Sequence, residues 1–325
     1  MLKIKVNLDS VSYNKLLLDM EAFGIVKKDK SVNKNKFMNL LFKNYYLTYE
    51  EEQKKVTDKF KKVLNSYNIN NNNILNDLNS ELISGELSSY QTSSITFVLN
   101  SDNDFLFESL YPTLINISDS AYFRNLILSY LKHPQYIRET IIFKDLVDSI
   151  NLAINENKMI KIQLNNATLD IKPFCITSSK EELYSYLLGL HNNHVMSINI
   201  AKIAKLVISK TLFKFSDQEN ELLKLNYEKG VQFPFDNICE ARITLTDMGV
   251  KQFNKRYLHR PIPTKIEGNT YYFSCSFAQL YFYFIAFANS IVDVSPTPLA
   301  KKFLSSYKQA FINLKNSLNS KKEGN

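Results

Sequence analysis

Two short stretches far apart in the chain alternate in the same register. In KIKVNLDS (3–10), Ile4, Val6 and Leu8 alternate with Lys3, Lys5 and Asn7; in SITFVLNS (94–101), Ile95, Phe97 and Leu99 fall 91 positions further along. Side chains alternate across a strand, so each stretch predicts a strand with one aliphatic face. Two helical patterns follow each. After the first come Leu16, Leu17, Met20 and Phe23, stopped by Gly24, and then Phe37, Leu40, Leu41 and Tyr45 in KFMNLLFKNYYL (36–47). After the second come DNDFLFESLY and AYFRNLILSYL (121–131), where the tetrads FMNL (37–40) and FRNL (123–126) match Asn39 to Asn125. A strand with two helices cannot bury its apolar face alone. Two copies can, by pairing their strands over four helices, so an internal duplication is predicted.

The pattern resembles the ribbon-helix-helix fold, in which outward residues of a two-stranded ribbon enter a major groove. Copy one presents Lys3, Lys5 and Asn7 outward; copy two presents Ser94, Thr96 and Val98, without charge. Pairing within one chain would give one basic and one nearly neutral edge. Lys27, Lys28, Lys30, Lys34 and Lys36 precede or open the second helix, whose free N–H groups suit phosphate. TYEEEQKKVTDKFKKVLNSY (48–67) reads as a charged helix, and NINNNN (68–73) as a break.

The charge of +8 and a pI near 9.0 permit nucleic-acid or anionic-membrane partners, although an AT-rich coding bias explains part of the lysine. Cys175, Cys239 and Cys275 stand singly, which predicts no metal site and suits a reducing cytosol. No secretory segment opens the chain, and Tyr271–Val292 is broken by Ser, Gln and Asn, which predicts a buried helix with flanking strands and a soluble, cytoplasmic protein. No cofactor and no catalysis are expected: phosphate-loop, nucleophile-elbow and zinc-helix motifs are absent, and Glu50, Glu51 and Glu52 read as a solvated helix face. His133, His191 and His194 have no carboxylate at a recognisable spacing and read as surface or turn residues.

From Lys158 the period changes to two. Residues 159–164, 167–177, 183–190, 194–203 and 206–215 are strand candidates with short turns, suggesting a small Sm-like β-barrel. Here the chain resembles the WYL-domain family, through Lys172-Pro173-Phe174, Ser185-Tyr186-Leu187 and Ile198-Asn199-Ile200-Ala201-Lys202-Ile203. Ser185 stands in the family's Trp place, and Asn199 and Lys202 in its two Arg places. The resemblance implies a ligand pocket at Tyr186, Asn199 and Lys202. It continues through residues 231–311, like the domain that follows WYL, where Arg256, His259 and Arg260 form a dense cluster with phosphate-binding potential. The arrangement is similar to accessory WYL proteins of RNA-targeting type VI-D CRISPR systems.

The expected fold class is therefore α+β, divided as 1–47 and 94–157 (ribbon-helix-helix-like units), 48–93 (helical linker), 158–216 (WYL domain) and 217–325 (C-terminal domain). The expected function is a nucleic-acid-binding regulator of transcription, sensing a ligand or nucleic acid. The alternative is an RNA-binding accessory to a CRISPR effector nuclease. Partners would be duplex DNA or single-stranded RNA. A homodimer is expected because the apolar C-terminal segment needs cover.

Overall fold

The computed structural model describes residues 2–69, 92–110, 117–165, 167–179 and 183–322, with Ile74, Leu78 and Glu181 singly. The two alternating stretches pair with each other. Strand β1 (Lys3–Asp9) runs antiparallel to β2 (Thr92–Val98), with Ile4 opposite Phe97 and Val6 opposite Ile95. All four are buried against the helices that follow. Asp9 starts α1 (Ser10–Ala22) by accepting the Ser12 N–H at 2.9 Å, and hydrogen bonds from the Ser12 side chain and then its N–H hold the Asp9 carboxyl below the usual range. Asn33 does the same for α2 (Lys34–Ser66), accepting from Lys36 N–H. Helices α3 (Ser101–Leu110) and α4 (Asp119–Lys132) repeat the order after β2. Phe37 and Phe123, matched in the repeat, are both fully buried in one shared core. The duplicated ribbon-helix-helix-like front is thus built within one chain. Helix α2 runs unbroken through residues 47 and 48, so the charged stretch continues the second helix of the first copy. Residues 70–73 of the NINNNN break lie outside the described residues.

Contacts gather the chain into two units: residues 1–170, 182–185 and 198–212, and residues 171–181, 186–197 and 213–325. The segment 158–216 is shared between them. In chain order, α5 (Gln135–Ile142) and α6 (Lys144–Asn155) lead into β3 (Lys158–Leu164), β4 (Ala167–Ser178), β5 (Ser185–His191), β6 (His194–Asn199) and β7 (Ile203–Leu212). In the first unit β3 pairs antiparallel with β7, Ile160 opposite Ile208 and Ile162 opposite Leu206. The sheets of the described residues have two, four and five strands, and none closes into a barrel. This corrects the expected Sm-like barrel. The five-stranded sheet keeps β6 and β7 as unpaired edges. Closing a sheet into a barrel needs its two edge strands to pair, and no such pairing is present among the described residues.

In the second unit, Leu188, Leu190 and Val195 pack with Leu223 and Val231. Gly189 is needed there, because a Cβ would sit 2.5 Å from the Lys172 carbonyl oxygen. Helix α7 (Asp217–Lys229) opens with a reciprocal cap between Ser216 and Glu219. Beyond it, β8 (Cys239–Leu245), α8 (Asp247–Lys255), β9 (Pro263–Glu267), β10 (Thr270–Cys275), α9 (Phe277–Phe284), β11 (Ile291–Ser295) and α10 (Thr297–Lys322) complete the unit. The sheet order is β11-β8-β10-β9. Ile243, Phe253, Phe273, Leu280 and Phe284 share its core with Leu299 and Phe303. Most of the apolar stretch 271–292 is therefore covered inside its own unit, with Phe282 and Val292 exposed.

Buried polar groups lock the first unit. Arg138 grips Asp19 with two charge-assisted hydrogen bonds, at 2.7 and 2.6 Å, and Tyr130 OH donates to the same carboxylate at 3.0 Å. Asp19 and Arg138 are almost fully buried, so the fork ties α1 to α4 and α5 where water cannot replace either partner. Glu139, the next residue, is also buried. Its two oxygens accept the backbone N–H groups of Ser185 and Ala201, and Ser185 Oγ donates to the Tyr136 carbonyl. No cation among the described residues offsets this burial, which pushes its carboxyl up to about 7. Of the three glutamates expected on a solvated face, Glu51 is exposed and the other two are engaged. Glu50 accepts from Tyr122 OH at 3.1 Å, and burial raises its carboxyl. Glu52 accepts from Tyr45 OH and Ser129 Oγ and lies 3.3 Å from His133 Nε2. His194 likewise meets Asp236 at 2.9 Å. These histidine–carboxylate pairs are long-range and leave no spacing signal in the sequence.

Two outcomes follow. Asp19→Ala leaves Arg138 buried without its anion and lowers unfolding free energy by about 3–5 kcal/mol, measured by urea titration. Asp19→Leu with Arg138→Met recovers most of that loss. Glu139 keeps a proton in the folded chain up to about pH 7, whereas the unfolded chain releases it near 4.5. Stability therefore falls as pH rises through that window and then levels, by about 3 kcal/mol from this group. In Glu139→Gln the difference from wild type grows across the same window and is flat above it.

Candidate nucleic-acid interface

The outer ribbon face is the most open basic surface that the pairing creates. Lys3 stands opposite Val98, Lys5 opposite Thr96 and Asn7 opposite Ser94. Lys3, Lys5, Asn7, Ser94 and Thr96 are exposed, while the alternate residues are buried. The register alone produces this: alternation sends the aliphatic set to the helices and leaves the polar set in water. No acidic side chain among the described residues pairs with Lys3 or Lys5. Asp9, at the end of the basic strand, spends its charge on the α1 cap. The face carries two free cations on one strand and hydroxyls on the other, so its basic character is one-sided.

At the Val98 end the ribbon runs into a cleft of about 430 Å³, walled by Asn35, Lys36, Asn39, Lys43, Val98 and Asn100 among others. A mesh of asparagines shapes it. Asn35 Oδ1 accepts the Val98 N–H, and Asn39 Nδ2 donates to the Val98 carbonyl at 2.9 Å. Asn39 Oδ1 in turn accepts from Asn100 N–H and Asn103 Nδ2. The edge of β2 is thereby pinned to the first turns of α2, and Lys36 and Lys43 flank the mesh. Asn125, its counterpart in the repeat, is buried with no partner for Oδ1, so the two copies diverge at this corner. Lys43 pairs with Asp145 at 2.6 Å, whereas Lys36 has no acidic partner among the described residues. Lys43 lies seven residues after Lys36, on the same helix face, which was the available signal for it.

The remaining lysines of the loop divide. Lys27, Lys28 and Lys30 are exposed on a tight turn closed by the Val26–Val32 bridge, with Asp29 accepting from Ser31 at its tip. Lys30 adopts a positive φ of 65° there. Lys34 folds back: its Nζ donates to Tyr13 OH at 2.9 Å and sits over the Tyr13 ring. It belongs to the packing of α1 on α2 more than to the open surface.

The residues expected to form a WYL-type pocket fall in different units. Tyr186, in the second, is half-buried against Leu188 and Leu190. Asn199 and Lys202, in the first, border the 3-10 turn, with Lys202 exposed. The basic residue of the Lys-Pro-Phe motif is occupied: Lys172 Nζ donates to Glu219 at 2.8 Å, which also lowers the Glu219 carboxyl. In the second unit Arg260 lies over the Phe253 and Tyr257 rings and reaches the Phe253 carbonyl at 3.5 Å. Arg256, exposed at the end of α8, lies over Tyr283. Both arginines lie over aromatic rings, and Arg260 turns back toward a carbonyl near the end of α8, the helix that precedes it.

Among the described residues no group of three or more His, Cys, Asp or Glu side chains is placed to hold a metal ion, and no helix is long and apolar enough to cross a membrane. No protein-family model matches the chain, and no curated protein matches it. Its fold is similar to a solved structure described as a CRISPR Cas-related protein. That likeness has a TM-score of 0.74 at 17% sequence identity and covers 97% of this chain and 95% of that one. A proteasome accessory factor B/C of Arthrobacter aurescens aligns over 70% of this chain and 38% of its own at 12% identity, with a TM-score of 0.25, too low to speak for a shared fold.

Proposed function

We propose that this chain is a nucleic-acid-binding, CRISPR-associated accessory protein that engages single-stranded RNA through the ribbon and the cleft at its Val98 end. The observation that carries the reading is the pairing of β1 with β2 inside one chain. It places Lys3 and Lys5 on one edge, hydroxyls on the other, and a cleft holding unpaired Lys36 at the end. A one-sided basic strip leading into a cleft suits a single strand, whose phosphates follow one track while its bases turn aside. The whole-chain likeness to a protein described as CRISPR Cas-related supports the setting, with an effector nuclease as the natural partner. On this reading the chain binds and does not catalyse: the buried carboxylates are committed to backbone amides, hydroxyls or Arg138.

A second reading is a transcriptional regulator on duplex DNA. A complete two-stranded ribbon with Lys3, Lys5, Asn7 and Thr96 outward has the dimensions to enter a major groove. Fluorescence anisotropy separates the two. With labelled single-stranded RNA at about 0.1 M salt, Lys3→Ala/Lys5→Ala/Lys36→Ala is expected to weaken binding about tenfold. It also flattens the dependence of log K on log salt by about 2, since each lost phosphate contact removes about 0.7 from the slope. Tighter binding of duplex DNA than of RNA, lost in the same variant, favours the regulator. No binding of either overturns both.

A further inference from the structure

On the other side of Lys36 and Leu40 the first unit holds another cleft, of about 450 Å³. It lies between the Phe23–Ile25 corner, the α5–α6 junction and the start of β7. Phe23, Ile25, Ile142 and Ile203 are buried in its walls, and Phe143 meets Phe23 edge-on with ring centroids 6.3 Å apart. None of Tyr186, Asn199 and Lys202 lines it.

The polar groups of this cleft are few and unequal. Asp145 is neutralised by Lys43 at 2.6 Å, and Ser149 Oγ donates to the Asp145 carbonyl. Lys36 and Lys205 have no acidic partner among the described residues. The site therefore combines apolar walls of a size that takes a small ligand with an uncompensated positive rim. Apolar walls suit a ring, and two free ammonium groups suit a phosphate. A neutral apolar ligand would leave the rim unused, and a cation would be repelled by it.

We propose that this cleft is a mononucleotide site, with the base against the Phe23, Leu40 and Phe143 wall and the phosphate at Lys36 and Lys205. The nucleotide is either free or one residue of a bound strand. The strand case rests on the RNA-binding reading above, because Lys36 lines both clefts and would hand a strand from one to the other.

The test titrates adenosine 5′-monophosphate by calorimetry and, separately, labelled single-stranded RNA by anisotropy. The variants are Ala204→Trp, which fills the cleft from an exposed position, Lys205→Glu, which reverses the rim charge, and Lys3→Ala/Lys5→Ala as a control. Melting curves check that each remains folded. The expected result is saturable nucleotide binding by wild type, weakened at least tenfold in both cleft variants and unchanged in the ribbon control. A parallel weakening of RNA binding in the cleft variants assigns the nucleotide to a strand. Unchanged RNA binding there assigns it to a free ligand. No saturable nucleotide binding by wild type, or binding that neither cleft variant alters, overturns the proposal. Loss of RNA binding in the ribbon control alone, with nucleotide binding indifferent to the cleft variants, overturns the mononucleotide site and leaves the RNA-binding reading standing. Nucleotide binding that follows the cleft, in a protein that binds no RNA, does the reverse.

Discussion

The first unit depends on one ladder, residues 3–9 against residues 92–98. A lone strand with an aliphatic face exposes both its apolar side chains and its backbone groups. Pairing satisfies the backbone and points Ile4, Val6, Ile95 and Phe97 at the same helices. From the register everything else in the front follows: which lysines stand outward, which end of the ribbon Val98 occupies, and where the asparagine mesh pins it. A slip of one residue would exchange the core set for the lysine set.

The buried polar groups play a different part. Hydrophobic packing among Phe37, Phe42, Phe107 and Phe123 tolerates small shifts, whereas the fork between Asp19 and Arg138 has one good geometry. It sets α1 against the α4–α5 corner, and the adjoining Glu139 sets that corner against the residues at 185 and 201. The two carboxylates differ in their partners: Asp19 meets a guanidinium, while Glu139 is buried against the amides of residues 185 and 201, and burial raises its carboxyl to about 7.

The charge pattern is more selective than the net charge of +8 suggests. Lys34 is spent on Tyr13, Lys43 on Asp145 and Lys172 on Glu219. Lys3, Lys5, Lys36 and Lys205 remain without acidic partners among the described residues. Free cations gathered beside clefts act on an anionic partner more strongly than paired ones scattered over a surface, because a paired lysine must first lose its carboxylate.

The strand alternation and the repeat were legible in the sequence, because each is a local pattern with a local cause: a period of two or a period of 3.6. The basic ribbon edge was legible for the same reason. The open sheet in place of a barrel was not, since closure depends on which edge strands meet. The partners of Glu52, His133 and His194 were equally hidden, as were Lys205 and the cleft it rims, because these are contacts between residues dozens of positions apart. By itself the sequence determined that two strand-helix-helix copies exist and that one of them carries lysines. Only the tertiary structure decided which lysines are free, since an ion pair forms wherever folding brings opposite charges within about 4 Å, and no spacing along the chain records that.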